Sequence, residues 1–83
     1  MTVKVNDLQK GSRVRLRNGW EADLLDKPKG ENIRKARVYG AFTETGSIYV
    51  DTIAEAFMNG EWVEVVLDAD QRAFSEMKKQ FGL

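Results

Sequence analysis

The sequence predicts a small, mainly β fold: a barrel of five to six strands over about residues 6–67, followed by a short C-terminal α-helix over about 69–81. Three observations carry this. Short runs of strand composition recur at close spacing, apolar and charged residues alternate on both sides of Asn18-Gly19, and the C-terminal segment changes to helical spacing.

The strand runs are Ser12 to Arg17, Trp20 to Asp26, Ile33 to Ala41, Ser47 to Val50 and Glu61 to Leu67. Around Asn18-Gly19 a two-residue loop would set Leu16 against Glu21 and mix the faces. A three-residue loop, Arg17-Asn18-Gly19 with a left-handed Gly19, instead pairs Leu16 with Trp20 and Val14 with Ala22. It also sets Arg15 opposite Glu21 and Arg13 opposite Asp23, so cross-strand carboxylates answer part of an arginine stripe. Trp20 then lies on the core face. Lys27-Pro28-Lys29-Gly30-Glu31-Asn32 reads as a surface loop.

In the third run Ala36 and Val38 point inward while Lys35, Arg37 and Tyr39 point outward. Asp51-Thr52-Ile53 reads as a turn. Ala54 to Met58 is a strand or a helical turn, and the strand is favoured because Asn59-Gly60 invites a hairpin into Glu61 to Leu67. Asp68 is placed to cap the helix, Lys78 and Lys79 suit its C-terminal dipole, and Gly82 stops it. Ala73, Phe74, Met77 and Phe81 repeat at the spacing of one apolar face, which so short a helix must dock on something. The barrel itself is the expected partner, with a second copy or another protein as the sharper alternative.

Composition narrows function. The 83 residues balance 13 Lys/Arg against 13 Asp/Glu and contain no cysteine and no histidine. Disulfides, thiolate metal sites and the commonest general base are therefore excluded, and three serines without a histidine base give no nucleophile. No glycine-rich phosphate cradle occurs, and Asp68 with Asp70 fits capping better than metal binding. The expectation is a non-enzymatic chain with no cofactor and no metal. There is no internal repeat, signal-like start or membrane-length apolar run, which implies a cytoplasmic address.

Charge is uneven: residues 1–40 hold ten basic and five acidic side chains, residues 41–83 three and eight. Folding can interleave these halves and erase the asymmetry. A nucleic-acid surface, if there is one, would use Arg13, Arg15, Arg17, Lys35, Arg37 and Tyr39, since basic groups beside an aromatic ring suit phosphate and base together. A protein interface, or a homodimer, would use Phe74, Met77 and Phe81.

Leu8-Gln9-Lys10-Gly11-Ser12-Arg13-Val14-Arg15-Leu16, followed by Asn18-Gly19-Trp20-Glu21-Ala22, resembles the opening of SH3-like barrels. Together with Val38-Tyr39-Gly40, Thr43-Glu44-Thr45-Gly46-Ser47-Ile48-Tyr49 and Gly60-Glu61-Trp62-Val63, it resembles small uncharacterised proteins of tailed bacteriophages and prophages. That resemblance covers roughly residues 6–66 and implies an SH3-like barrel in an accessory protein of the bacterial cytoplasm. It brings no assigned activity. Translation-associated SH3-like modules are also similar, but the glycine pattern after the first strand departs from theirs. The leading expectation is a module docking on a host or defence protein; the alternatives are a nucleic-acid-binding barrel and a self-associating structural protein.

Overall fold

The computed structural model describes residues 1–82. Seven strands form one sheet: β1 (Thr2–Lys4), β2 (Arg13–Leu16), β3 (Glu21–Leu24), β4 (Ile33–Tyr39), β5 (Thr43–Tyr49), β6 (Ile53–Met58) and β7 (Glu61–Val66). A single helix, α1 (Ala69–Gln80), follows. The spatial order is β1-β7-β6-β2-β3-β4-β5, so the sheet is not closed and β1 and β5 are its two ends. A mainly β chain with one short helix is as expected, but the strands number seven rather than five or six. The sheet also starts before residue 6: Thr2 to Lys4 runs parallel to β7, with Val3 against Val65. Three residues are too few to show a period. At the other end β5 begins at Thr43, because its threonines and glycine pair in full register with β4, from Tyr39 with Thr43 to Ile33 with Tyr49.

Turn chemistry fixes the hairpins. Arg13, Val14 and Arg15 pair with Asp23, Ala22 and Glu21, which is the register of the three-residue loop. The Leu16 amide donates to Trp20 O (2.7 Å), the Gly19 amide donates to Leu16 O (2.9 Å), and Gly19 has φ +94°. Asn59 and Gly60 both take positive φ, 52° and 84°, the type I′ geometry that matches strand twist. Between β2 and β6 the register slips at Arg15/Leu16, where Glu55 and then Ile53 are the partners; the skipped Ala54 makes a bulge that bends the sheet.

Two 3-10 turns, Val5–Asp7 and Val50–Thr52, have the same construction. Each follows a strand, buries its first residue, and returns to extended backbone with the next amide bonded to that valine's carbonyl. They lead to Leu8 and Ile53, both buried. These residues form one core with Val14, Leu16, Ala22, Leu24, Ala36, Ala56 and Val65. It is built largely from alanine and valine, and the largest rings lie outside it.

Trp20, expected in that core, is 46% exposed. The pairing with Leu16 holds, but the hairpin end overshoots the buried layer, and the indole lies flat against Gly40. A Cβ on Gly40 would stand 2.4 Å from Trp20 Cε3. Gly40→Ala should therefore displace the indole and cost about 1–3 kcal/mol. With Trp62→Phe making Trp20 the sole tryptophan, the displacement should appear as red-shifted emission and a lower melting temperature; unchanged emission and melting would remove this contact.

Candidate functional site

The helix is held by polar groups. At its N-terminus Asp68 accepts from the Gln71 amide (2.7 Å) and the Gln71 side chain accepts from the Asp68 amide (3.0 Å), a capping box. Asn6 of the first 3-10 turn donates to Asp68 Oδ2 (2.8 Å), and Gln71 Nε2 donates to Asn6 Oδ1 (2.8 Å) and Glu31 O (3.0 Å). Two turns further on, Asp51 of the second 3-10 turn accepts from Ser75 Oγ (2.8 Å) and from Lys78 Nζ (2.9 Å). Asn6 and Asp51 are the middle residues of their respective turns, so α1 spans both with equivalent contacts. Among the described residues no buried side-chain nitrogen or oxygen lacks a partner.

This corrects the expected docking face. The buried helix residues are Gln71, Ser75 and Lys78. Phe74 is half-buried against Tyr49, with ring centroids 6.2 Å apart, while Met77 is 44% and Phe81 69% exposed. At 100° per residue the Phe74, Met77 and Phe81 stripe lies about a quarter turn from the docked face. The reason is the surface beneath: α1 meets the polar middles of the 3-10 turns, not the apolar interior.

Lys78 also covers an aromatic face, its Nζ 3.6 Å from the Tyr49 ring centroid and 5.8 Å from that of Phe74. Burial pushes the Asp51 carboxyl up, but the hydrogen bonds from Lys78 and Ser75 outweigh it and hold it below the ordinary 3.8. An apolar strip therefore runs from Ile33, cross-strand neighbour of Tyr49, over Tyr49 and Phe74 to Met77 and Phe81.

Tyr49 also closes one end of a groove of about 500 Å3 between β5 and the β2–β3 turn. Leu16, Trp20, Val38 and Ile48 line it, Gly46 leaves its centre open, and Arg17 and Glu44 supply the charge. On the β4–β5 ladder Glu44, Gly46 and Ile48 pair with Val38, Ala36 and Arg34, so all three share the inner face. β4 is the only strand partner of β5 among the described residues.

The basic set predicted from sequence does not gather into one patch. Arg13 binds both oxygens of Asp23 and reaches Glu21 (3.1 Å), with its guanidinium 5.0 Å from the Tyr39 ring. Tyr39 is half-buried and donates to Asp23 Oδ2 (2.8 Å). Arg15 pairs with Glu55 (3.1 Å), not with its cross-strand neighbour Glu21, and lies 4.1 Å over Trp62. Arg17 donates to Asp51 O (2.8 Å) beside the groove. Lys35, Arg37 and Arg17 stay exposed without an ion pair among the described residues, and of these Arg17 alone is held by a hydrogen bond to a backbone carbonyl.

Arg34 escaped the sequence reading. It is 3% exposed and donates to Asp26 Oδ1 (2.8 Å), Asp26 O (2.7 Å) and Val5 O (3.5 Å), tying β4 to the first 3-10 turn. The signal was its parity: it alternates in step with the inward Ala36 and Val38.

Removing one partner of the Asp51–Lys78 pair leaves the other charge buried. Asp51→Asn should cost on the order of 3 kcal/mol, and Asp51→Asn with Lys78→Met should recover most of it, as a denaturant double-mutant cycle would read. Because the folded Asp51 carboxyl titrates below its unfolded value, its stabilisation is present above about 3.8 and lost as pH falls through the folded value. Amide exchange in α1 should then accelerate in acid before that of β2, β3 and β6; uniform acceleration would show that the helix is not separately latched.

Comparison with protein-family models, with curated proteins and with solved structures finds no match, so the functional reading rests on the geometry above.

Proposed function

We propose that this chain is a non-enzymatic, phage-type accessory module with an SH3-like barrel ancestry, which docks on a host or defence protein in the bacterial cytoplasm. The observation that supports it is the direction of α1: hydrogen bonds and an ion pair hold the helix while Met77 and Phe81 face outward beside Phe74, Tyr49 and Ile33. Clustered exposed apolar side chains favour a protein partner. Aromatic residues and methionine are also the residue types enriched in interface centres. A net charge of zero fits apolar docking better than phosphate tracking. The nucleic-acid alternative is weakened by the carboxylates that Arg13 and Arg15 already engage.

Met77→Glu with Phe81→Glu should leave folding within about 0.5 kcal/mol per site, since both side chains are well exposed. The test is affinity capture from nuclease-treated bacterial lysate, followed by titration of the purified partner. The expected result is a protein retained after nuclease and bound at least about 30-fold more weakly by the double variant. Recovery that collapses with nuclease, falls steeply with salt and responds to Lys35→Glu with Arg37→Glu would replace this reading with nucleic-acid binding.

A further inference from the structure

The two ends of the sheet are not alike. β1 is three residues long, is followed directly by a 3-10 turn and carries Lys4, features that discourage edge pairing. β5 is seven residues long and contains no proline, lysine or arginine. Its flank opens on the groove, whose opposite wall is Trp20 and Leu16.

We infer that β5 takes an extended peptide segment of a partner protein as an added antiparallel strand, with a large apolar side chain of that segment opposite Gly46 and a lysine or arginine two residues later, opposite Glu44. This rests on the protein-binding reading above and names the partner's chemistry. Main-chain hydrogen bonds along a free edge supply affinity without sequence preference, and alternate side chains supply the preference. Only side chains opposite inner-face residues enter the groove. Opposite Gly46, where a Cβ added to the glycine would meet no atom within 4 Å, there is room for a large group against Trp20, Val38 and Leu16. Ile48 itself supplies an apolar neighbour at one end and Glu44 an anionic one at the other. In the antiparallel sense the segment therefore reads apolar, any, large apolar, any, basic. Antiparallel addition is chosen because such pairing is the commoner and slightly the stronger. The groove that receives the inward side chains, about 500 Å3, lies within the size range of pockets that bury drug-sized ligands.

The experiment pans a displayed library of random seven-residue peptides on the full chain and, in parallel, on Glu44→Lys and Gly46→Val. The expected enrichment is the alternating pattern with a basic last position. On Glu44→Lys that position should turn acidic, and on Gly46→Val the large apolar residue should disappear. A synthetic peptide with valine, phenylalanine and lysine at the inward positions and threonine between them should blue-shift the Trp20 emission in the Trp62→Phe background. Glu44→Lys should weaken it about tenfold, and an acidic replacement of the peptide's lysine should restore it. No enrichment, enrichment without alternation, or a basic preference unchanged on Glu44→Lys would overturn the proposal. Light scattering that shows a dimer abolished by Gly46→Lys would assign the edge to a second copy and overturn it as well. Met77→Glu with Phe81→Glu, which tests the strip, should leave the selected pattern unchanged, so failure of the groove and failure of the protein-binding reading are told apart.

Discussion

The ion pair between Lys78 and Asp51, with Ser75 as a third member, decides how the helix meets the sheet. A lysine that is 7% exposed must have its ammonium paired, and the carboxylate that pairs it sits at the middle of a 3-10 turn whose first residue, Val50, is itself in the core. At the other end of α1 the equivalent position, Asn6, bonds Asp68 and Gln71. The rotation of the helix about its axis follows from these two anchors. Exposure of Met77 and Phe81 follows from the rotation.

The core beneath is small, and its composition explains why. Val14, Ala22 and Ala56 face one another across three neighbouring strands, and Ala36 sits opposite Leu24, so the sheet packs tightly with little side-chain volume. The Ala54 bulge bends it, and β1 and β5 stay unpaired with each other, so it does not close. No room remains inside for Trp20, Phe57, Trp62 or Phe74. Phe57 and Trp62 instead meet edge to face at 5.2 Å on the outer side, beneath Arg15. Polar tethers, including Arg34 to Asp26 and Val5, carry part of the cohesion that a larger apolar core would supply.

Local chemistry made several features legible from the residues alone. Gly19 and Asn59-Gly60 demand positive φ, so the first hairpin's register and the β6–β7 turn follow from period-two patterning and turn type. The Asp68 cap followed from residue type and position. β1 is too short to show a period; in the misses that bear on the surface, a periodicity was right and its environment was not. Phe74, Met77 and Phe81 do form one stripe, but burial depends on what lies opposite, and the polar middles of two 3-10 turns far apart in sequence cannot be foreseen from helical spacing. Trp20 has the right partner across the hairpin but stands beyond the buried layer. The groove between β5 and Trp20 arises from long-range curvature, and only Gly46 and the run around it, free of lysine, arginine and proline, hinted at an open edge.

The polar latch also explains how the strip stays outward. An amphipathic helix held by apolar contacts alone would rotate toward the arrangement that buries most area, here a turn of about 90° that brings Phe74, Met77 and Phe81 against the protein. That rotation would strip Asp51 of Lys78 and Ser75 and leave Gln71 without Asn6 and Glu31 O. Stranding a buried carboxylate, an ammonium and an amide costs several kcal/mol, which offsets the few kcal/mol gained by burying the exposed parts of Phe74, Met77 and Phe81. The hydrogen bonds thus act against self-burial. Tyr49, under Lys78 and against Phe74, also borders the groove, so the ion pair adjoins both apolar surfaces.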